Sequence, residues 1–227
     1  MTLATLLFSG IADAAPLKKA SIVPPAPEVF AAKQLEVVSH GDATEKAEAW
    51  GAALPTISVK NNNTGAAGDF RLYTAQGSLD LAQAREFMTL VNGEDGKLDF
   101  RLVQLVFRAA YHFAAESHVA TTMQIVSGTR VGAHGKHGSG QALDFKLEGV
   151  SAAALAKYAR SYPRAGIGIY THPKTQYVHV DVREHSYHWI DASPPHVSWR
   201  EQLLPDPKQA ERDASYTAAG DLPETAR

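Results

Sequence analysis

Seven of the ten histidines, at positions 134, 137, 172, 179, 185, 188 and 196, fall within a stretch where even spreading would put about three. Cysteine is absent, so thiol nucleophiles, iron–sulfur clusters, disulfides and cysteine zinc sites are excluded, and any metal must be held by His, Asp or Glu. Imidazole gathered in this way suits either a metal site or general acid–base work. The run Tyr177-Val-His-Val-Asp-Val-Arg183 sharpens the choice. As a strand it sends Val178, Val180 and Val182 to one side and Tyr177, His179, Asp181 and Arg183 to the other, an ionisable row too polar to bury without partners. Gln141-Ala-Leu-Asp-Phe-Lys146 treated alike turns Leu143 and Phe145 inward and Asp144 outward, seven residues beyond His137. Two imidazoles and a carboxylate give zinc three protein ligands and leave a fourth position for water, the mark of a catalytic rather than a structural ion.

Those residues stand in motifs. His137-Gly-Ser-Gly140-Gln-Ala142-Leu-Asp144 resembles the His-x-x-Gly-x-Ala-x-Asp motif of the zinc D-alanyl-D-alanine carboxypeptidases and murein endopeptidases, peptidase family M15, above all its bacterial branch. Ser127-Gly-Thr-Arg130 is similar to that family's Ser-Gly-Tyr-Arg. Gly166-Ile-Gly-Ile-Tyr170, followed by Tyr177-Val-His179-Val-Asp181, is similar to its Gly-x-Gly-x-Tyr and Phe-Val-His-x-Asp. The likeness runs from about Ile57 to Trp189. It implies one zinc ion bound by His137, Asp144 and His179, with Arg130 facing the substrate, on a hedgehog/DD-peptidase-like domain that hydrolyses amide bonds in peptidoglycan stem peptides or cross-links.

Three departures accompany the likeness. Gly135 stands where the family has serine, the stretch between Arg130 and His137 is short, and Gln176 occupies the position, three before the last ligand, where several relatives carry a catalytic carboxylate. The general base is then sought at Asp181, on the face of His179, or at His188 or His185; Asp181 has the alternative role of orienting a ligand. Arg183 is expected to pair with Asp181 or another carboxylate, and Trp189 to pack at the domain's end or line the cleft rim. His134 and His172 read as loop residues, and His40, His112, His118 and His196 as structural or surface ones. A noncatalytic, zinc-containing wall- or protein-binding module is the alternative function, with Gln176 its main support. A metal oxygenase using the same ligand types is a third and weaker reading.

The elements that must position these residues read as an α+β domain with a mainly antiparallel sheet and flanking helices. Ile57–Lys60 and Phe70–Thr74 form a hairpin around Asn61–Gly65. Helices run from a cap at Ser78 through Val91, from a cap at Asp99 with Leu102, Val106, Ala109 and Phe113 as its apolar stripe, and from Ser151 to Tyr162. Strands are expected over 122–127, 141–147, 166–170 and 177–183. Prolines crowd the flanks, at 16, 24, 25 and 27 and again at 194, 195, 205, 207 and 223, whereas 56–193 holds only Pro163 and Pro173. This divides the chain into a signal-like segment 1–14 ending Ala12-Asp13-Ala14, an Ala/Pro-rich leader 15–55, a domain 56–193 and a polar tail 194–227. Export to the periplasm or cell wall follows as an expectation, with peptidoglycan peptides as partner. With 22 Lys+Arg against 24 Asp+Glu, a formal charge of −2, the chain has no basic field for nucleic acid, and no later segment has the length of a membrane span.

Overall fold

A computed structural model describes residues 47–94, 96–117, 121–130, 132, 134–195, 197 and 201–226. The signal-like segment, the leader up to residue 46, His40, His118 and His196 lie outside the described residues. The elements are α1 (Ala47–Ala53), β1 (Ile57–Asn61), β2 (Ala67–Phe70), α2 (Leu81–Asn92), α3 (Phe100–Ser117), β3 (Thr122–Ser127), β4 (Ala142–Leu147), α4 (Ala152–Ala159), β5 (Ala165–Tyr170), β6 (Tyr177–Val182), β7 (Tyr187–Asp191), β8 (Gln202–Leu203) and α5 (Gln209–Ala214), followed by two short 3-10 turns.

The capping chemistry explains the helix starts. Asp80, not Ser78, caps α2: its Oδ1 accepts from the amides of Ala82 and Gln83 at 3.0 and 3.1 Å. Asp99 Oδ1 accepts from the Arg101 amide at the head of α3, and Ser151 Oγ from the Ala154 amide at the head of α4. The second strand of the hairpin starts three residues earlier than expected, at Ala67 and not Phe70. β1 pairs with 67–70, and Leu72 leaves the sheet for the core, its amide bonded to the Tyr111 hydroxyl.

One sheet carries all eight strands in the order β2-β1-β3-β4-β6-β5-β7-β8. The expected antiparallel pairing holds for β1/β2, β3/β4, β4/β6, β5/β6 and β7/β8, but β1/β3 and β5/β7 are parallel, so the sheet is mixed. The parallel β1/β3 pair follows from the crossover through β2, α2 and α3 between them. Strand alternation sorts the two faces. Leu143, Phe145, Val178, Val180, Ile167, Met123 and Ile125 are buried in the core with α3 and α4, while Asp144, His179 and Asp181 point the other way.

Residues after Pro194 add to this body. β8 extends the sheet along β7. Asp213 accepts from the amides of Arg164 and Ser186, and Asp221, fully buried, takes Arg101 Nε at 2.8 Å. Arg101 spends its remaining donors on the Pro163 and Arg164 carbonyls, so a buried guanidinium in the first turn of α3 is compensated almost entirely by the C-terminal segment and one loop. At the other end, Trp50 of α1 packs edge-on against Tyr73 at 5.0 Å.

Candidate metal centre

β4 and β6 lie side by side with Asp144 opposite His179. His137 arrives from the loop before β4, whose path is held by amide bonds from Gln141 to the Lys136 carbonyl and from Asp99 to the Gly140 carbonyl. The three ligand atoms converge: His179 Nδ1 lies 2.8 Å from Asp144 Oδ1, and His137 Nε2 lies 3.2 Å from His179 Nδ1 and 3.3 Å from Asp144 Oδ1. Each imidazole has its other nitrogen committed. His137 Nδ1 bonds the Gly128 carbonyl at 2.8 Å, which makes it the protonated nitrogen; His179 Nε2 faces Asp181 Oδ2 at 3.1 Å and donates there. Two lone pairs and a carboxylate oxygen therefore face one another, an arrangement that calls for a cation between them.

Without a metal, the cation is a proton. Burial opposes charge on His179, but the hydrogen bonds and charges of Asp144 and Asp181 override it and raise its pKa to about 9. Burial likewise works against the Asp144 carboxylate, and its bonds to His137 and His179 overcome that and hold it at about 2. The donor set of two imidazoles and one carboxylate, each oriented from behind, fits zinc.

The Ser127-Gly-Thr-Arg130 motif explains itself here. Ser127 Oγ accepts from Arg130 Nε at 3.0 Å, Gly128 orients His137, and Arg130 Nη2 reaches Asp144 Oδ2 at 3.1 Å while its side chain stays 55% exposed on the cleft. Asn92, the last residue of α2, clamps the loop: its Nδ2 donates to Thr129 Oγ1 and its Oδ1 accepts the Thr129 amide, at 2.9 and 2.8 Å. Asn92→Ala is expected to cost about 1 kcal/mol of stability through the stranded Thr129 amide and about tenfold in zinc affinity through the loosened Gly128 carbonyl. Thermal melts and competition with a chromophoric chelator check both.

Asp181 is 1% exposed at its side chain and lies beyond His179, on the ring edge away from the ligand atoms. Both its oxygens are taken by the Arg183 guanidinium. The Gly166-x-Gly168 pair of β5 makes room for this. A Cβ on Gly166 would strike Asp181 and Arg183, and one on Gly168 would strike the Trp189 indole, whose ring lies 5.0 Å from that of His179.

The cleft above the centre has a volume of about 360 Å³, and its walls include His134, Lys136, Tyr170, Tyr187, Trp189 and Glu201 besides the residues above. His185 is exposed on the β6–β7 turn and Gln176 lines a neighbouring depression; neither borders this cleft. His188, a candidate base by sequence, is on the opposite face of β7 from Trp189, 1% exposed at its side chain, with Nδ1 accepting from Arg160 Nε. Burial first, then the charges of Arg160 and Arg212, lower its pKa to about 4 against an ordinary 6.5. Below pH 6.5 the unfolded chain gains a proton that the fold refuses, so stability present at neutral pH drains as pH falls towards 4. About 1 kcal/mol is expected to go between pH 7.5 and 5.5, and His188→Gln is expected to flatten that slope in urea titrations. Sequence reasoning did not find Glu201 as a cleft residue, and nothing local in the polar segment around it signals the role; His134, three residues before His137, was within reach of the histidine count.

A family model described as peptidoglycan L,D-endopeptidase MepK matches residues 56–189, the span over which the motifs resemble M15. No curated protein and no solved structure matches the chain. Among the described residues no helix is long and apolar enough to cross a membrane. With more than half of its length inside that match, the chain belongs to the peptidase M15 family.

Proposed function

We propose that this protein is a zinc-dependent peptidoglycan peptidase, exported through its signal-like start, built on a hedgehog/DD-peptidase-like domain and acting on peptide cross-links or stem peptides. The supporting observation is the convergence of His137 Nε2, Asp144 Oδ1 and His179 Nδ1 with both outward ring nitrogens already bonded. These three atoms would hold one zinc ion, which when bound supplies a water of lowered pKa and polarises a carbonyl. The chain's own residues do the rest. Arg130, tied by one nitrogen to Asp144 and otherwise open to the cleft, offsets negative charge growing on the scissile carbonyl or holds a substrate carboxylate. Asp181 and Arg183 fix the tautomer and plane of His179 from behind. Trp189 walls the cleft beside His179 and keeps water from that side of the ring. His134, on the cleft wall with no hydrogen bond to a described residue, supplies an imidazole able to take up the proton of the attacking water.

The test is elemental mass spectrometry followed by digestion of purified sacculi with and without chelator. About one zinc per chain is expected, with soluble muropeptides appearing only in the metal-loaded sample; their masses assign L,D- or D,D-cleavage and endopeptidase or carboxypeptidase action. Zinc without products would favour the noncatalytic binding module, for which the exposed Gln176 in place of an acid is the observation. Absence of zinc would remove both readings.

A further inference from the structure

Glu201 lies outside the family-matched span and still borders the metal cleft. Antiparallel pairing of β7 with β8 sets Trp189 opposite Leu203 and Ile190 opposite Gln202, which brings Glu201 beside Asp191; the parallel pairing of β5 with β7 puts Tyr170 next to Asp191 in the same row. The other carboxylates of the cleft are spent, Asp144 on His137, His179 and Arg130, and Asp181 on His179 and Arg183. Glu201 forms no hydrogen bond or ion pair with any described residue. The cleft's guanidinium groups are bonded elsewhere, Arg130 to Asp144 and Arg183 to Asp181, with Arg183 also lying over the Tyr187 and Trp189 rings, and the rest of the wall is largely aromatic. Tyr170 stacks on Tyr177 with centroids 4.3 Å apart, and Trp189 and Tyr187 face the same cleft, 5.6 Å from each other. Burial, then Asp144, with Glu201 and Asp191 adding, pushes the Tyr170 phenol up to about 12, so that ring stays neutral.

An exposed carboxylate with no partner among the described residues, set beside an aromatic ring, is chemistry for a cation, since ring quadrupole and carboxylate attract the same charge. We propose that the C-terminal segment completes the cleft with an ammonium-binding corner, formed by Glu201 and Tyr170, that selects substrates carrying a free amino group. The proposal rests on the peptidase reading for the substrate being a peptide. Position narrows the group further. Glu201 adjoins β8, which is three strands from β6, or roughly 14 Å across the sheet at about 4.8 Å per strand, so the amine read lies about four extended residues, or about two residues and a long side chain, from the cleaved bond at about 3.5 Å per residue. It is not the amine released by cleavage. A diamino acid side chain and a free peptide N-terminus share this chemistry.

The experiment uses the full chain and pairs of short peptides, with the amine on a diamino acid side chain or at the N-terminus, each free or acetylated. Calorimetry on metal-depleted protein reads binding, and kcat/KM on zinc-loaded protein reads cleavage. Wild type is expected to bind the free amine about 3- to 10-fold more tightly than its acetylated partner, with the preferred peptide series identifying the amine's source. Glu201→Gln should bring that ratio to about one, and Glu201→Asp should restore part of it. Equal binding of both forms by wild type, a preference that survives Glu201→Gln, or no binding of any peptide would overturn the proposal. A binding preference that vanishes in Glu201→Gln, together with no cleavage by the zinc-loaded wild type, would sustain the corner and remove the peptidase reading.

Discussion

Asp144→Ala is expected to leave a folded protein that retains no zinc on dialysis and turns over substrate at least about 10³-fold more slowly. Asp144 is the one anion among the three converging ligands, and its oxygens have separate duties, Oδ1 towards the two imidazoles and Oδ2 towards Arg130. Truncation leaves two nitrogens 3.2 Å apart with nothing to balance a divalent charge. It also frees the Arg130 guanidinium, a positive charge that then opposes the metal. Losing a Lewis acid worth several kcal/mol of transition-state stabilisation sets the size of the effect, at about 1.4 kcal/mol per tenfold. The fold should survive, because Asp144 points to the cleft while Leu143 and Phe145 on either side keep β4 in the core. Unfolding midpoints would show this, metal analysis and muropeptide release the rest. Full zinc and full turnover in Asp144→Ala would discard the ligand set.

The centre could be read from sequence because both its strands alternate cleanly. In Tyr177–Arg183 the three valines face the core and the ionisable row faces out, and the face given to Asp144 follows from Leu143 and Phe145. His188 shows where that reasoning stopped. Tyr187–Asp191 is short and polar at both ends, so its pattern alone does not announce a strand; as a strand, period two separates His188 from Tyr187 and Trp189 and sends it beneath the sheet. The parallel β1/β3 pair was equally hidden, since two helices and β2 intervene and hydrophobic pattern carries no strand order. Asp213 and Asp221 looked like tail acids. Their partners, Arg164 with Ser186 and Arg101, lie far back in the chain, the last 120 residues away, and no local pattern announces a contact of that range. Glu201 borders the cleft on a segment held both by the pairing of β8 with β7 and by this buried network.

Asp181→Asn separates a residue that takes the reacting proton from one that holds a ligand. As the general base, Asp181 would be exchanged at a loss of about 10² to 10⁴ in kcat, with zinc undisturbed and one limb of the pH–rate profile gone. The structure points to the other outcome. Burial works against the Asp181 charge, but the bonds from His179 and Arg183 outweigh it and keep the carboxyl below the usual carboxylate range, which makes it a poor proton acceptor. It also sits across the imidazole ring from the ligand atoms, with both oxygens occupied. Asparagine can still accept the His179 Nε2 proton, yet it cannot supply the negative charge that strengthens the Nδ1 lone pair. The expected result is a 10- to 100-fold loss of zinc affinity, and of kcat/KM at limiting zinc, with the shape of the pH profile unchanged and turnover restored in large part by excess zinc. Arg183→Gln should repeat this pattern more weakly, because it loosens Asp181 without removing it. Zinc competition titrations beside pH profiles read both quantities, and a lost limb at saturating zinc would return the base to Asp181.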